Sequence, residues 1–163
     1  MQPSKTVLAV SGNTKGFGMI EAFFANALMC MAMNIYHEAR NESTIGQIAV
    51  GQVVMNRVND DRFPDDVCEV ILEGKHYTTK EGKTYPIKDR CQFSWYCDGI
   101  EDMPYNKKAF ERSQEVAAMV LEGWTGTFMD GATHYHADYV SPRWAHHHTR
   151  IVQIDSHIFY RWD

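Results

Sequence analysis

Gly18–Arg40 reads GMIEAFFANALMCMAMNIYHEAR, and this run decides the fold. Ile20, Phe23, Phe24, Ala27, Leu28, Met31 and Ile35 recur at spacings of three and four, which predicts a helix from Gly18 to about Tyr36 with a broad buried face. The apolar stretch is shorter than the roughly 20 residues of a membrane span and is interrupted by Glu21, Asn26 and Asn34, so it reads as a core helix. The helix delivers His37, Glu38 and Arg40 to its C-terminal end. Glu38 is therefore the first candidate for chemistry. A carboxyl against apolar surface disfavours its anion, and its pKa rises toward that of a useful general acid. The competing reading is a solvated helix end, with Glu38 paired to Arg40 or capping a neighbouring segment.

Outward from this helix, Thr44 and Gln47 have capping-box spacing, which predicts a second helix to about Val58 with Ile45, Ile48, Ala49 and Val53 inside. Pro64 suits a first helical position and Gly74 a helix stop, bracketing a short third helix that buries Val67, Val70 and Ile71. Residues 75–96 change character and read as a small β-hairpin around Glu81-Gly82 or an irregular sheet. A further helix spans about Asn106 to Glu122, with Gly123 as its cap. Loops rich in histidine and aromatic residues follow at 133–136 and 142–148. Ile151–Ile154 and His157–Tyr160 alternate as a terminal hairpin. The expected class is α+β, mostly helical, with a small β-hairpin or sheet. Residues 1–17 are expected to form a flexible segment and 18–163 one domain.

Composition excludes more than it selects. The chain has 163 residues, 44% of them hydrophobic, and no low-complexity tract, which suits a globular protein. A net charge of −5 argues against gripping nucleic acid by bulk electrostatics. The short apolar patch at Val7–Val10 is too small for a signal peptide, so the chain is expected to be made in the cytoplasm without its own secretion signal or membrane insertion. Cys30, Cys68, Cys91 and Cys97 lack paired zinc-site spacing. They are either buried thiols or two disulfides, with three connectivities open. No long heptad is present, and a monomer is expected.

Other residues could contribute to a site. Glu42 follows Glu38 by four positions, and two carboxylates can divide acid and base roles, although a backbone-capping role serves it equally. Asp98, Asp130 and Asp138 sit in segments that could reach a cleft. His134 and His136 alternate as a strand ligand pair would, but His37-Glu38 lacks the second histidine of the zinc-protease helix pattern, so no metal or cofactor is expected. Gln92, Ser94, Trp95, His134, Tyr135 and His136 mix rings with polar groups, as a sugar groove does. Phe93 and Trp95 could equally form an aromatic mini-core.

Together the segments resemble the SleB-like cell wall hydrolases. The matching pieces are IYHEARNE at 35–42, GQIAVGQVVMNRV at 46–58, FPDDVC at 63–68, CQFSW at 91–95 and GATHYHA at 131–137, spread over roughly residues 28 to 160. Each is weak alone; jointly they are specific. The resemblance implies a lysozyme-like fold and cleavage of the MurNAc–GlcNAc β-1,4 bond of peptidoglycan glycan strands, usually as a lytic transglycosylase. It assigns Glu38 as the acid and then the base, with Gln92, Ser94 and Tyr135 binding or orienting sugars. Bacterial members commonly carry an export signal or a wall-binding repeat. Neither is found here, which fits a phage endolysin that waits in the host cytoplasm until a holin releases it. The four cysteines resemble those of a Gram-negative subset in which disulfides form in the periplasm. The usual glycine before the second glutamate is Asn41, a change a turn tolerates. A hydrolytic muramidase, a metal-dependent amidase or peptidase, and a non-catalytic glycan-binding virion protein are the competing functions.

Overall fold

The computed structural model describes residues 26–126 and 128–163. The expected flexible segment 1–17 and the start of the expected first helix, 18–25, lie outside the described residues. Helix α1 runs Ala27–Ala39, and the Asn26 side chain caps it by accepting from the Leu28 amide at 2.8 Å. Every residue from Cys30 to Tyr36 is buried, so α1 is enclosed on all sides instead of burying one face. Leu28, expected inside, is exposed because the enclosure begins only at Cys30. Helices α2 (Thr44–Val58), α3 (Val67–Ile71) and α4 (Lys107–Leu121) pack around α1.

The starts of α2, α3 and α4 differ from expectation by one to three residues, each for a visible reason. Ser43, not Thr44, caps α2, its Oγ accepting from the Gly46 amide at 3.2 Å. Gln47 does not complete a capping box; its side chain donates to the Glu42 carbonyl at 3.3 Å. Ile45, expected inside, falls on the outer side of the first turn and is exposed. Asp66 caps α3 by accepting from the Glu69 amide at 3.0 Å, which leaves Pro64 in the lead-in. Helix α4 is capped by Asn106 and followed by Gly123 at φ 76°, the left-handed residue expected after its last turn.

Gly74 begins strand β1 (Gly74–Thr78) instead of simply stopping α3, and β1 pairs antiparallel with β2 (Thr84–Cys91). The expected hairpin therefore forms, but its second arm ends at Cys91 and the chain continues into a 3-10 turn at Ser94–Cys97. The terminal hairpin also forms, as β4 (Thr149–Ile154) and β5 (His157–Arg161). The segment expected as a loop at 133–136 contributes strand β3 (His134–Ala137) to the free edge of β5, giving the order β3-β5-β4. Among the described residues no helix is long and apolar enough to cross a membrane.

A polar clasp fastens this sheet to the helices. Asp155 Oδ2, in the β4–β5 turn, accepts from the Ser43 amide at 2.9 Å and its hydroxyl at 2.6 Å. Glu42 accepts from the Ser156 amide at 3.2 Å and from the Ser156 hydroxyl. The approach is so close that a Cβ on Gly46 would lie 2.5 Å from Asp155 Oδ2. Gly46→Ala should force the clasp apart and cost about 1–3 kcal/mol, read as a lowered urea midpoint with an unchanged m-value.

All four cysteines are paired, as Cys30–Cys68 and Cys91–Cys97. The first bond ties α1 to α3 across a sequence separation of 38 and limits the unfolded chain the more. Replacing Cys30 and Cys68 together by Ala should lower unfolding free energy by about 2–4 kcal/mol in chemical denaturation. Thiol reductant should then have little further effect through that bond.

Candidate active site

Glu38 occupies the last turn of α1, where the enclosing helices give way to the sheet. It is half-buried, with its carboxyl recessed, and the Tyr135 hydroxyl donates to its Oε2 at 2.9 Å. Among the described residues Oε1 has no hydrogen-bond partner. Burial raises the Glu38 pKa; the Tyr135 hydrogen bond and the nearby Arg57 charge work in the opposite direction. Burial and the adjacent Glu38 carboxylate hold the Tyr135 hydroxyl well above its ordinary range, so it remains a donor. The carboxyl is withdrawn from water as expected, but the small hollow it faces is lined largely by polar groups, and no ion pair with Arg40 forms among the described residues. Arg40 instead lies over the Tyr36 and Tyr105 rings, at 5.1 and 5.5 Å from their centres.

Two hollows meet at Glu38. The smaller, about 210 Å³, is lined by Glu38, Arg57, Gln92, Ser94, His134 and Tyr135, with the Phe93 and Trp144 rings. Glu38 is the one carboxylate among the residues lining it. The larger, about 610 Å³, continues on the other side past Glu38, Trp95 and His136 between exposed Tyr105 and Tyr139. Asp98 and Glu101 stand along that second hollow, whereas Asp130 and Asp138 line neither. A chain of rings and polar groups extending both ways from an acid suits a polymer lying across it.

Each expected site residue has a definite place. Gln92 and Ser94 reach the small hollow because the Cys91–Cys97 bond closes their segment into a tight turn. Trp95 is mostly core: its Nε1 donates to Asn34 at 2.9 Å, and its ring stacks on His37 at 4.7 Å. Phe93 is buried in the same cluster. His37 Nε2 donates to the Asp102 carbonyl at 2.8 Å, and burial lowers its pKa. His134 lies in the small hollow with Nδ1 at 2.9 Å from the Thr133 hydroxyl; burial and then Arg57 push its pKa down to about 4. His136 lies in the larger hollow, its Nδ1 donating to the Ala137 carbonyl at 2.8 Å and its Nε2 accepting from Tyr160 at 3.0 Å. His134 and His136 thus serve different hollows, and no group of three His, Cys, Asp or Glu side chains among the described residues is arranged to hold a metal ion.

Glu42 is not brought to Glu38. Its carboxylate is committed to Ser156 and lines neither hollow. Nor does its side chain cap the start of α2, the alternative expected of it: Ser43 does that, and the Glu42 carboxylate holds the terminal hairpin. Among residues not singled out from the sequence, Arg57 borders the small hollow, and Tyr105, Tyr139 and His157 border the larger one. The available signal for Arg57 was a charge on the same helical stripe as Val50, Val53 and Val54.

The chain is similar to known proteins over most of its length. The chain is 28% identical over 149 residues to a spore cortex-lytic enzyme of Oceanobacillus iheyensis, covering 91% of this chain and 46% of that protein. It is 30% identical over 136 residues to a spore cortex-lytic enzyme of Halalkalibacterium halodurans, covering 82% of this chain and 34% of the relative. The chain therefore spans half or less of the length of these curated relatives. The solved catalytic domain of the germination-specific lytic transglycosylase SleB from Bacillus anthracis superposes with a TM-score of 0.62 at 25% identity, covering 91% of this chain and all of that one. The SleB catalytic domain of Bacillus cereus gives 0.58 at 26% identity, covering 93% of this chain and all of its own. The α+β, lysozyme-like fold is thus shared with SleB. A family described as Cell Wall Hydrolase matches residues 41–160, beginning three positions after Glu38. On that match the chain belongs to the cell wall hydrolase family.

Proposed function

We propose that this protein degrades peptidoglycan by cleaving the MurNAc–GlcNAc β-1,4 bond as a lytic transglycosylase, with Glu38 as acid and then base. The observation that carries the reading is a single recessed carboxyl, oriented by Tyr135, where two hollows meet. Protonated Glu38 gives its proton to the glycosidic oxygen as the bond to the muramic C1 breaks. The resulting carboxylate removes the proton from the C6 hydroxyl of the same sugar, whose oxygen closes on C1 to give a 1,6-anhydro end. One carboxylate serves both steps and no water is consumed. Gln92, Ser94 and His134 would fix sugar hydroxyls on one side, and His136 with the exposed tyrosines would hold the strand on the other. The named activity of SleB supports this choice over simple hydrolysis.

The reading extends to biological setting. We place the protein as a phage endolysin released from the host cytoplasm to the wall, and the pairing of all four cysteines supports work in an oxidising space.

Digesting purified peptidoglycan with wild type and Glu38→Gln, then identifying new ends by mass spectrometry, tests the activity. Anhydro-muramic ends from wild type and a loss of several orders of magnitude in the variant are expected. Reducing muramic ends would replace transglycosylation by hydrolysis, and freed stem peptides or a fully active variant would refute the role of Glu38.

The raised Glu38 pKa also couples pH to activity and stability. Activity should fall as pH rises through the folded-state value, because the acid form is lost. The same shift means the folded state prefers the protonated carboxyl. Its stabilising contribution is complete below the unfolded pKa and lost as pH rises through the folded one. Glu38→Gln should therefore gain thermal stability over wild type at pH 7, with the gain shrinking toward pH 4.

A further inference from the structure

Arg57 has no part in the chemistry described so far, yet its placement is expensive. It is 5% exposed in the last turn of α2. Its Nε donates to the Thr133 carbonyl at 2.7 Å, and its guanidinium carbon lies 5.2 Å from the centre of Phe63 and 5.3 Å from that of Phe93. Nη1 is buried without a hydrogen-bond partner among the described residues, and no carboxylate there forms an ion pair with it; the charges of Glu73, in the link after α3, and of Glu38 reach it only through space. A buried charge left in this state costs stability unless something else uses its field. The same guanidinium borders the small hollow beside Glu38.

We propose that Arg57 is a positioning residue whose fixed charge, clamped between two rings and the Thr133 carbonyl, sustains the Glu38 carboxylate between its acid and base steps without touching it. The proposal rests on the reading of Glu38 as acid and then base. A direct ion pair would keep Glu38 ionised and leave no proton to give. With no cation nearby, the buried anion formed after proton transfer would be too unfavourable to form readily. A guanidinium held close but out of contact satisfies both steps. The clamp fixes the guanidinium: Thr133, the residue before β3, anchors Arg57, and the strand that follows presents Tyr135 to Glu38.

The other groups facing Glu38 are Tyr135 and His134 from β3, His37 and Arg40 from its own helix, Asp98 and Glu101 across the larger hollow, and His136 and His157 from the sheet. Burial keeps His134 uncharged near neutrality, so it does not substitute for Arg57.

The experiment compares wild type, Arg57→Gln and Arg57→Lys. Gln keeps a donor for the Thr133 carbonyl and loses the charge, while Lys keeps the charge. The Glu38 carboxyl is titrated by NMR with side-chain 13C-labelled glutamate, its signal assigned from Glu38→Gln, alongside kcat and KM against pH on isolated glycan strands. In Arg57→Gln the Glu38 midpoint should rise by about one unit or more, with kcat down at least about tenfold and KM within about twofold. In Arg57→Lys the midpoint should stay near that of wild type. An unmoved midpoint in a folded Gln variant, or a Lys variant shifted as far as the Gln one, overturns the proposal. Should the Gln variant fail to fold, Arg57→Met, uncharged and apolar between the same two rings, takes its place under the same criteria. The titration needs no turnover. If wild type releases no anhydro ends, the functional reading falls while the charge coupling is still decided.

Discussion

The hydrogen bond from Tyr135 to Glu38 joins the two halves of this molecule at the point where chemistry is proposed. Glu38 belongs to the helical half and Tyr135 to the sheet, 97 residues later. Neither half alone can set their separation. Contacts between the halves hold it: the clasp, where Asp155 and Glu42 fasten the β4–β5 turn to the α1–α2 link, the bonds from Asn56 and Arg57 to the Ala132 and Thr133 carbonyls, and the core cluster where Ala39, Val50 and Val53 meet Phe159. Strand β5 then carries β3 on its free edge, and Tyr135 pairs with Phe159, which is buried in the second core cluster. A displacement of the clasp would travel through that register to the Glu38 carboxyl.

The enclosure of α1 gives this arrangement its electrostatic character. A helix buried on all sides ends in a carboxyl with little water to stabilise its anion, which raises the pKa. Tyr135 and Arg57 act against burial, one by direct donation and the other through space. A site that must be an acid and then a base needs such opposed influences, because either extreme would freeze one protonation state.

The two disulfides have separate tasks. Cys30–Cys68 secures the central helix to α3, while Cys91–Cys97 shapes the turn that presents Gln92 and Ser94. Stability and site geometry therefore draw on different bonds.

Much of this was legible in the chain. Apolar residues at helical spacing located α1, α2 and α4, because a 3.6-residue period leaves a record wherever a helix buries a face. The hairpins were legible from turn residues and alternation, and Glu38 from its position at the end of the apolar run. Local signals could not show that α1 is surrounded, since enclosure depends on which helices pack where. They could not place β3, whose strand state depends on the edge β5 offers it. Glu42 shows the limit most clearly. Four residues from Glu38, it looked like a second carboxylate for the same site, yet the link after α1 turns it toward Ser156, and only long-range packing determines that direction. Nothing in the sequence singled out Arg57, and its significance exists only once Thr133, Phe63 and Phe93 close around it. Periodicity and chemistry reside in neighbouring residues; the distances that make a site belong to the packed whole.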